Sequence, residues 1–142
     1  MKVVINSDYG GYGLSNAALE LYMTKKGISY VKTSDGFRGL HGRYLVNGEL
    51  FTDWDIKRHD SLLVEIVEEL GKKSWGSSAK LKVVDLPENC EYSIDEYDGW
   101  ESVETWFEIT EEELINGMSP EKVAILRSAQ SIKVKVLNHE EN

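Results

Sequence analysis

Lys2-Val3-Val4-Ile5-Asn6-Ser7-Asp8-Tyr9-Gly10-Gly11-Tyr12-Gly13-Leu14-Ser15 carries three signals in order. Val3, Val4 and Ile5 are consecutive β-branched residues without alternation, which predicts a buried strand over residues 2–6 in the middle of a sheet. Glycines at 10, 11 and 13 predict a turn in which the backbone takes positive φ or is closely approached. Ser15 suits the N-cap of a helix ending near Lys26, with Gly27 just past it. A strand, a glycine turn and a helix start are the parts of an anion site, because the free N–H groups and positive dipole end favour negative charge. The spacing is neither the dinucleotide fingerprint nor the phosphate loop, since no Lys-Ser or Lys-Thr pair follows the glycines. A tight turn needing no ligand and a binding loop both fit these residues.

Beyond this stretch, Leu14, Ala17, Ala18, Leu21 and Tyr22 share one helical face. Residues 28–32 alternate like a second strand. Residues 33–42 read as a loop carrying Arg38 and His41, and loops of that length are often functional. Asn47-Gly48, flanked by strand-forming runs over residues 43–51, marks a two-residue type I′ hairpin. Asp60 caps a helix with the apolar stripe Leu63, Ile66, Val67 and Leu70, ended by Gly71. Residues 72–78 form a loop holding Trp75, residues 80–86 and 90–97 are strands, and Asp98-Gly99 is a turn. Thr110 and Glu113 have the spacing of a capping box, and Ser119-Pro120 starts a helix through about residue 129. Residues 132–136 alternate as a closing strand with lysines on the wet face, and residues 139–142 are a frayed end. The expected fold is α+β: a single globular domain over residues 1–142. Its mixed central sheet holds the first strand, the Asn-Gly hairpin and the strands near residues 80 and 92, covered by two or three helices.

Composition narrows the classes. Of 142 residues 41% are hydrophobic and 29% charged, an ordinary globular balance. No run approaches the roughly 18 apolar residues of a membrane span, and no leader-like apolar segment opens the chain, so a cytoplasmic protein without a membrane partner is expected. Cys90 is the single cysteine, which fits a reducing compartment. Residues 85–114 hold 12 of the 25 acids and no Lys, Arg or His, within a net charge of -9. That excludes general nucleic-acid binding, which needs a basic patch. A small anion bound by the rest of the chain remains compatible.

The candidate ligand-binding residues are Tyr9, Gly10, Gly11, Tyr12, Gly13 and Ser15 with the basic residues Arg38, His41, Arg43, Lys57, Arg58 and His59. Arginine forks match phosphate oxygens, and the tyrosine rings can stack on a base. The plainer alternative is solvated surface charge and half-buried tyrosine. No metal, cofactor or catalytic residue is expected: the histidines are isolated, Asp53 and Asp55 supply only two carboxylates, and no nucleophile elbow exists. Asp60 beside His59 reads as a helix cap rather than an orienter. The acidic stretch interleaves Tyr92, Tyr97, Trp100, Trp106 and Phe107 with acids such as Glu101, Glu104 and Glu108. It is a solvated face or a surface for a basic partner.

Tyr9-Gly10-Gly11-Tyr12-Gly13-Leu14-Ser15 resembles the opening of a family of small uncharacterised proteins encoded by bacteriophages and some bacteria. Residues 58–63 with 67–71, 79–84 and 94–101 fit the same family in the same order, so the resemblance covers residues 1 to about 104. It brings no established chemistry. Family members often carry cysteine where this chain has Asp8, so no thiol mechanism transfers to that position. The residues suggest an anionic, nucleotide-like ligand bound at the glycine loop, and the resemblance implies a phage-type protein that sequesters it as a counter-defence. The alternatives are an inhibitor engaging a basic host protein through residues 85–114, and a hydrolase of a nucleotide-like substrate. Homo-oligomerisation is left open.

Overall fold

The computed structural model describes residues 1–33, 43–128 and 133–137. In β1 (Lys2–Asn6), Val3 to Asn6 are all buried. β1 pairs with β5 (Leu81–Asp85), and the Ser7 N–H continues that edge by donating to the Lys80 carbonyl at 2.8 Å. The N–H groups of alternate residues point to the other edge. There Val4 donates to the Arg58 carbonyl at 2.9 Å and Asn6 to the Glu101 carboxylate at 2.8 Å. A loop carbonyl and a side chain thus satisfy the edge where a third strand would pair.

β1 and β5 therefore stand as a two-stranded sheet, and three small sheets take the place of the one central sheet the sequence suggests. The hairpin is β3 (Tyr44–Val46) and β4 (Glu49–Phe51), turning through Asn47 at φ 53° and Gly48 at φ 81° as a type I′ turn requires. Its sheet is completed by β2 (Val31–Lys32), antiparallel to β3 with Val31 opposite Leu45.

α1 (Asn16–Lys26) is capped by Ser15, whose hydroxyl accepts the Ala18 N–H at 3.1 Å, and closed by Gly27 at φ 72°. Its buried residues are Ala18, Leu19, Tyr22 and Met23. The expected face included Ala17, which is exposed. Leu19 and Met23 carry more apolar surface than Ala17, so the helix is rotated to bury them. α2 (Ser61–Leu70) packs against α1 and β1. Leu63, Ile66 and Val67 are buried as expected, joined by Val64. A 3-10 turn, Gly71–Ser74, follows.

These elements belong to one of two compact units, Lys2–Val84 with Glu96–Ser102. Its core includes Val4, Tyr12, Leu14, Met23, Tyr44, Leu63 and Ile66. The other unit is Met1, Asp85–Asp95 and Val103–Asn142. β6 (Glu91–Tyr97), β7 (Trp100–Thr110) and β8 (Lys133–Leu137) form a sheet in that order. β8 runs parallel to β7, placing Val134 opposite the buried Phe107 and Val136 opposite the buried Ile109. A parallel neighbour needs a crossover. α3 (Glu111–Asn116), opened by the Thr110 and Glu113 capping box, and α4 (Pro120–Ser128) supply it. Lys122 pins the two by reaching both Glu113 carboxylate oxygens at 2.8 Å. On β8, Lys133 pairs with Glu104, and the Lys135 ammonium lies 3.8 Å from the Trp106 ring centroid. No described helix is long and apolar enough to cross a membrane.

Candidate functional site

Where β1 ends, the fully buried Asn6 side chain ties three segments together. Its amide donates to the Asp8 carbonyl at 2.8 Å and the Gly99 carbonyl at 2.7 Å, and its oxygen accepts the Lys80 N–H at 2.8 Å. The glycine loop is thereby held against the Asp98-Gly99 turn, where the Gly10 N–H reaches the Asp98 carbonyl at 3.3 Å. A side chain on Gly99 would overlap the Gly11 nitrogen, and one on Gly10 would come within 2.9 Å of the Ser78 carbonyl oxygen. A Cβ at Gly76 would lie 2.8 Å from the Gly13 carbonyl carbon. Close approach of three backbone segments therefore accounts for most of these glycines. Gly11 differs: at φ 106° it needs glycine for conformation, with nothing within 4 Å of a Cβ.

Beside this packing lies a cleft of about 540 Å³. One wall is the chain from Gly10 to Asn16, the other the chain from Trp75 to Ser78. The walls are joined at their base by the antiparallel bridge of Leu14 with Trp75 and by the Gly76 N–H donating to the Gly13 carbonyl at 2.8 Å. Ser15 and Asn16 bring the N-terminal end of α1 onto the cleft. The Ser15 hydroxyl is committed, donating to the Lys73 carbonyl at 2.6 Å while capping α1. It is a structural cap and has no proton to spare for chemistry.

Tyr12 lines the cleft and is nine-tenths buried. The Arg58 guanidinium carbon sits 3.3 Å from its ring centroid, and the Trp54 ring meets it edge-on at 5.7 Å. Burial pushes the Tyr12 phenol well above its usual range, against the pull of Arg58. Its hydroxyl has no hydrogen-bond partner among the described residues. Asp53 stands nearby, accepting the Leu14 N–H at 3.0 Å.

The structure separates the basic residues proposed as phosphate ligands from the glycine loop's own. Arg58 is bidentate to Glu101 at 2.7 and 2.8 Å and donates to the Val4 carbonyl at 3.2 Å. Both side chains are buried, 10% and 5% exposed. The fork is spent on a carboxylate of the same chain, where the sequence suggested a ligand phosphate. The same pair removes Glu101 from the acidic surface. Arg43 is exposed and its backbone pairs with Thr33, while Lys57 and His59 are exposed on the segment before α2. Arg38 and His41 fall outside the described residues. Tyr9 is exposed and packs on Trp100, ring centroids 5.3 Å apart, rather than lining the cleft. Asp60 acts as the cap of α2, accepting from Leu62 and Leu63 and from the Tyr22 hydroxyl at 2.7 Å.

Gly10, Gly11, Tyr12, Gly13 and Ser15 are thus brought to one cleft. Asn16, Trp75, Gly76, Ser77 and Ser78, which complete it, were not singled out by sequence. Trp75-Gly76-Ser77-Ser78 is a small-residue run after an aromatic, but nothing local ties Gly76 to Gly13. In comparisons with known proteins no family model, no curated protein and no solved structure matches this chain.

Proposed function

We propose that this protein binds a small nucleotide-like ligand in the glycine-walled cleft, with the ligand's anionic group toward the N-terminal end of α1. The carrying observation is the cleft itself: about 540 Å³, within the roughly 300–1,000 Å³ of small-molecule sites. The half-buried Trp75 offers a ring face for a base. The Ser77 and Ser78 hydroxyls, the Asn16 amide and the helix end offer polar contacts for sugar and phosphate. The resemblance of the glycine stretch supports a phage-type protein, and sequestration suits a site whose lining holds no committed nucleophile or base. The test is native mass spectrometry and calorimetry with nucleotides, comparing the parent with Ser77→Trp, which fills the cleft from an exposed position. The parent should bind and release an unaltered ligand, and the variant should fold and not bind. Equal binding by both would place the ligand elsewhere.

A second reading, engagement of a basic protein partner, is favoured by the exposed rings of Tyr97 and Trp100, 79% and 44% accessible. Tyr97→Ala should then weaken partner capture while nucleotide binding is unchanged. The reverse pattern would reject that reading.

A further inference from the structure

We infer that the turn between β6 and β7, with Tyr9 beside it, is the docking point for an arginine of a basic protein partner. The inference rests on the reading that such a partner is engaged, and it names the point and the side chain. Tyr97 ends β6 and Trp100 opens β7, joined through Asp98 at φ 53° and Gly99 at φ 92°. A two-residue turn with both φ values positive sets its flanking residues directly opposite each other, so Tyr97 and Trp100 stand on one face of the hairpin. Tyr9 packs on Trp100, and Tyr9 and Tyr97 are each more than half exposed. Scattered single rings in water need no explanation, but three gathered at one hairpin end mark an interaction surface.

Shape and charge name the occupant. The Tyr9 and Trp100 planes are inclined at 59°, which makes a corner rather than the flat platform on which a base or sugar ring lies. The Asp98 carboxylate is exposed in the turn itself, and Glu96, exposed beside it, accepts the Gly99 N–H. The Asp8 carboxylate, next in sequence to Tyr9, lies 3.7 Å from the Lys80 ammonium. Among the described residues no cation pairs with the Asp98 carboxylate, and nothing engages the Tyr97 ring. Carboxylates beside ring faces repel phosphate and attract a cation. A second copy of this chain docking on the same patch would bring Asp98 and Glu96 against their own equivalents. The core of the same unit holds a worked instance of ring, carboxylate and cation: the Arg58 guanidinium lies over Tyr12 while its fork takes Glu101. At the turn the ring and the carboxylate are present, and the partner supplies the cation. Arginine suits it better than lysine, because a planar guanidinium stacks on a ring, pairs with a carboxylate through its fork and is more weakly hydrated.

The experiment is titration of the protein with nine-residue peptides of repeating Gly-Ser-Arg, Gly-Ser-Lys or Gly-Ser-Glu, followed by NMR of the tryptophan indole N–H groups and by fluorescence anisotropy. The arginine peptide should move the Trp100 resonance, assigned through Trp100→Phe, and leave that of Trp75 in the cleft in place. It should bind about fivefold or more tightly than the lysine peptide and weaken as salt rises. Tyr97→Ala and Asp98→Asn should each weaken it with melting temperatures unchanged, since Tyr97 is exposed and asparagine tolerates the positive φ at 98. Tyr97→Phe, which keeps the ring, should bind like the parent. The inference is overturned by equal binding of the arginine and lysine peptides, by a Trp100 resonance that stays still, or by full binding to both weakening variants. Each of those results leaves a basic partner to dock elsewhere. A folded protein that binds neither cationic peptide, or binds the glutamate peptide as tightly, removes the basic-partner reading together with this inference.

Discussion

Glu101 and Arg58 form the pair on which the stability of the loop arrangement turns. The Glu101 carboxylate takes both arms of the Arg58 fork and the Asn6 N–H. Removing one partner leaves the other charge buried, which typically costs about 3–5 kcal/mol. Glu101→Ala is therefore expected to lower the urea midpoint strongly, whereas an exposed acid such as Glu91 changed to Ala should barely move it. If the two variants unfold alike, the pair is not buried in solution. A second residue-scale expectation concerns pH. Burial opposes ionisation of Asp60, but the Tyr22 hydroxyl, the Leu63 and Leu62 N–H groups and Lys26 together hold its carboxyl below the usual range. Its contribution is thus full above about pH 4 and is lost as pH falls through the lowered folded value. Tyr22 is pushed up to about 12, by burial first and then by its hydrogen bond to Asp60. Its contribution holds below about pH 10 and is lost as pH rises toward 12. Tyr22→Phe should cost about 1.5–3 kcal/mol at neutral pH. It should also raise the pH of acid unfolding and flatten the alkaline decline; stability curves from pH 2 to pH 12 check all three.

At the scale of elements, the hairpin gives the sharpest expectation. Gly48 sits at φ 81° with nothing within 4 Å of a Cβ, so Gly48→Val tests conformation without a clash. A β-branched residue held there costs on the order of 1–3 kcal/mol, and a melting temperature equal to the parent's would mean the turn can adopt another form. This hairpin was legible in sequence because its signal is local: Asn-Gly fixes the turn, and the turn fixes the register. The same holds for Ser15 and Gly27 bounding α1, Asp60 and Gly71 bounding α2, and the Thr110 and Glu113 box. The division into three sheets was not legible. At β1 it reflects Arg58 and Glu101 occupying the strand's free edge, and no periodicity announces that a side chain will do a strand's work. Arg58 itself was read as a phosphate ligand because its fork fits a carboxylate equally well, and only placement distinguishes the two. The long strand β7 was hidden by acids scattered through a run whose buried members are Glu101, Phe107 and Ile109. Half of the cleft was visible in the glycines; the half from Trp75 to Ser78 lay some 60 residues away in the chain.

For the molecule as a whole, charge is partitioned as sharply as packing. Of the net -9, the unit formed by Met1, Asp85–Asp95 and Val103–Asn142 carries -8, from 4 basic and 12 acidic side chains. Self-repulsion there should be relieved by salt, since the screening length falls from about 30 Å at 0.01 M to about 10 Å at 0.1 M. Exposed pairs such as Lys133 with Glu104 lose little in exchange. The calorimetric melting temperature is expected to rise between these salt concentrations; a fall would show that the ion pairs outweigh the repulsion. The bond from the Asn6 N–H to Glu101 spans 95 positions of sequence. During synthesis at about 5–20 residues per second, roughly 5 to 20 s pass between the emergence of those two residues. For that interval the second edge of β1 lacks its carboxylate and the glycine loop lacks its Asp98-Gly99 cover. The first strand made therefore gains its last partner only once residue 101 has been added, and a nascent chain halted before residue 98 should be more open to protease at its N-terminal strand than the finished protein.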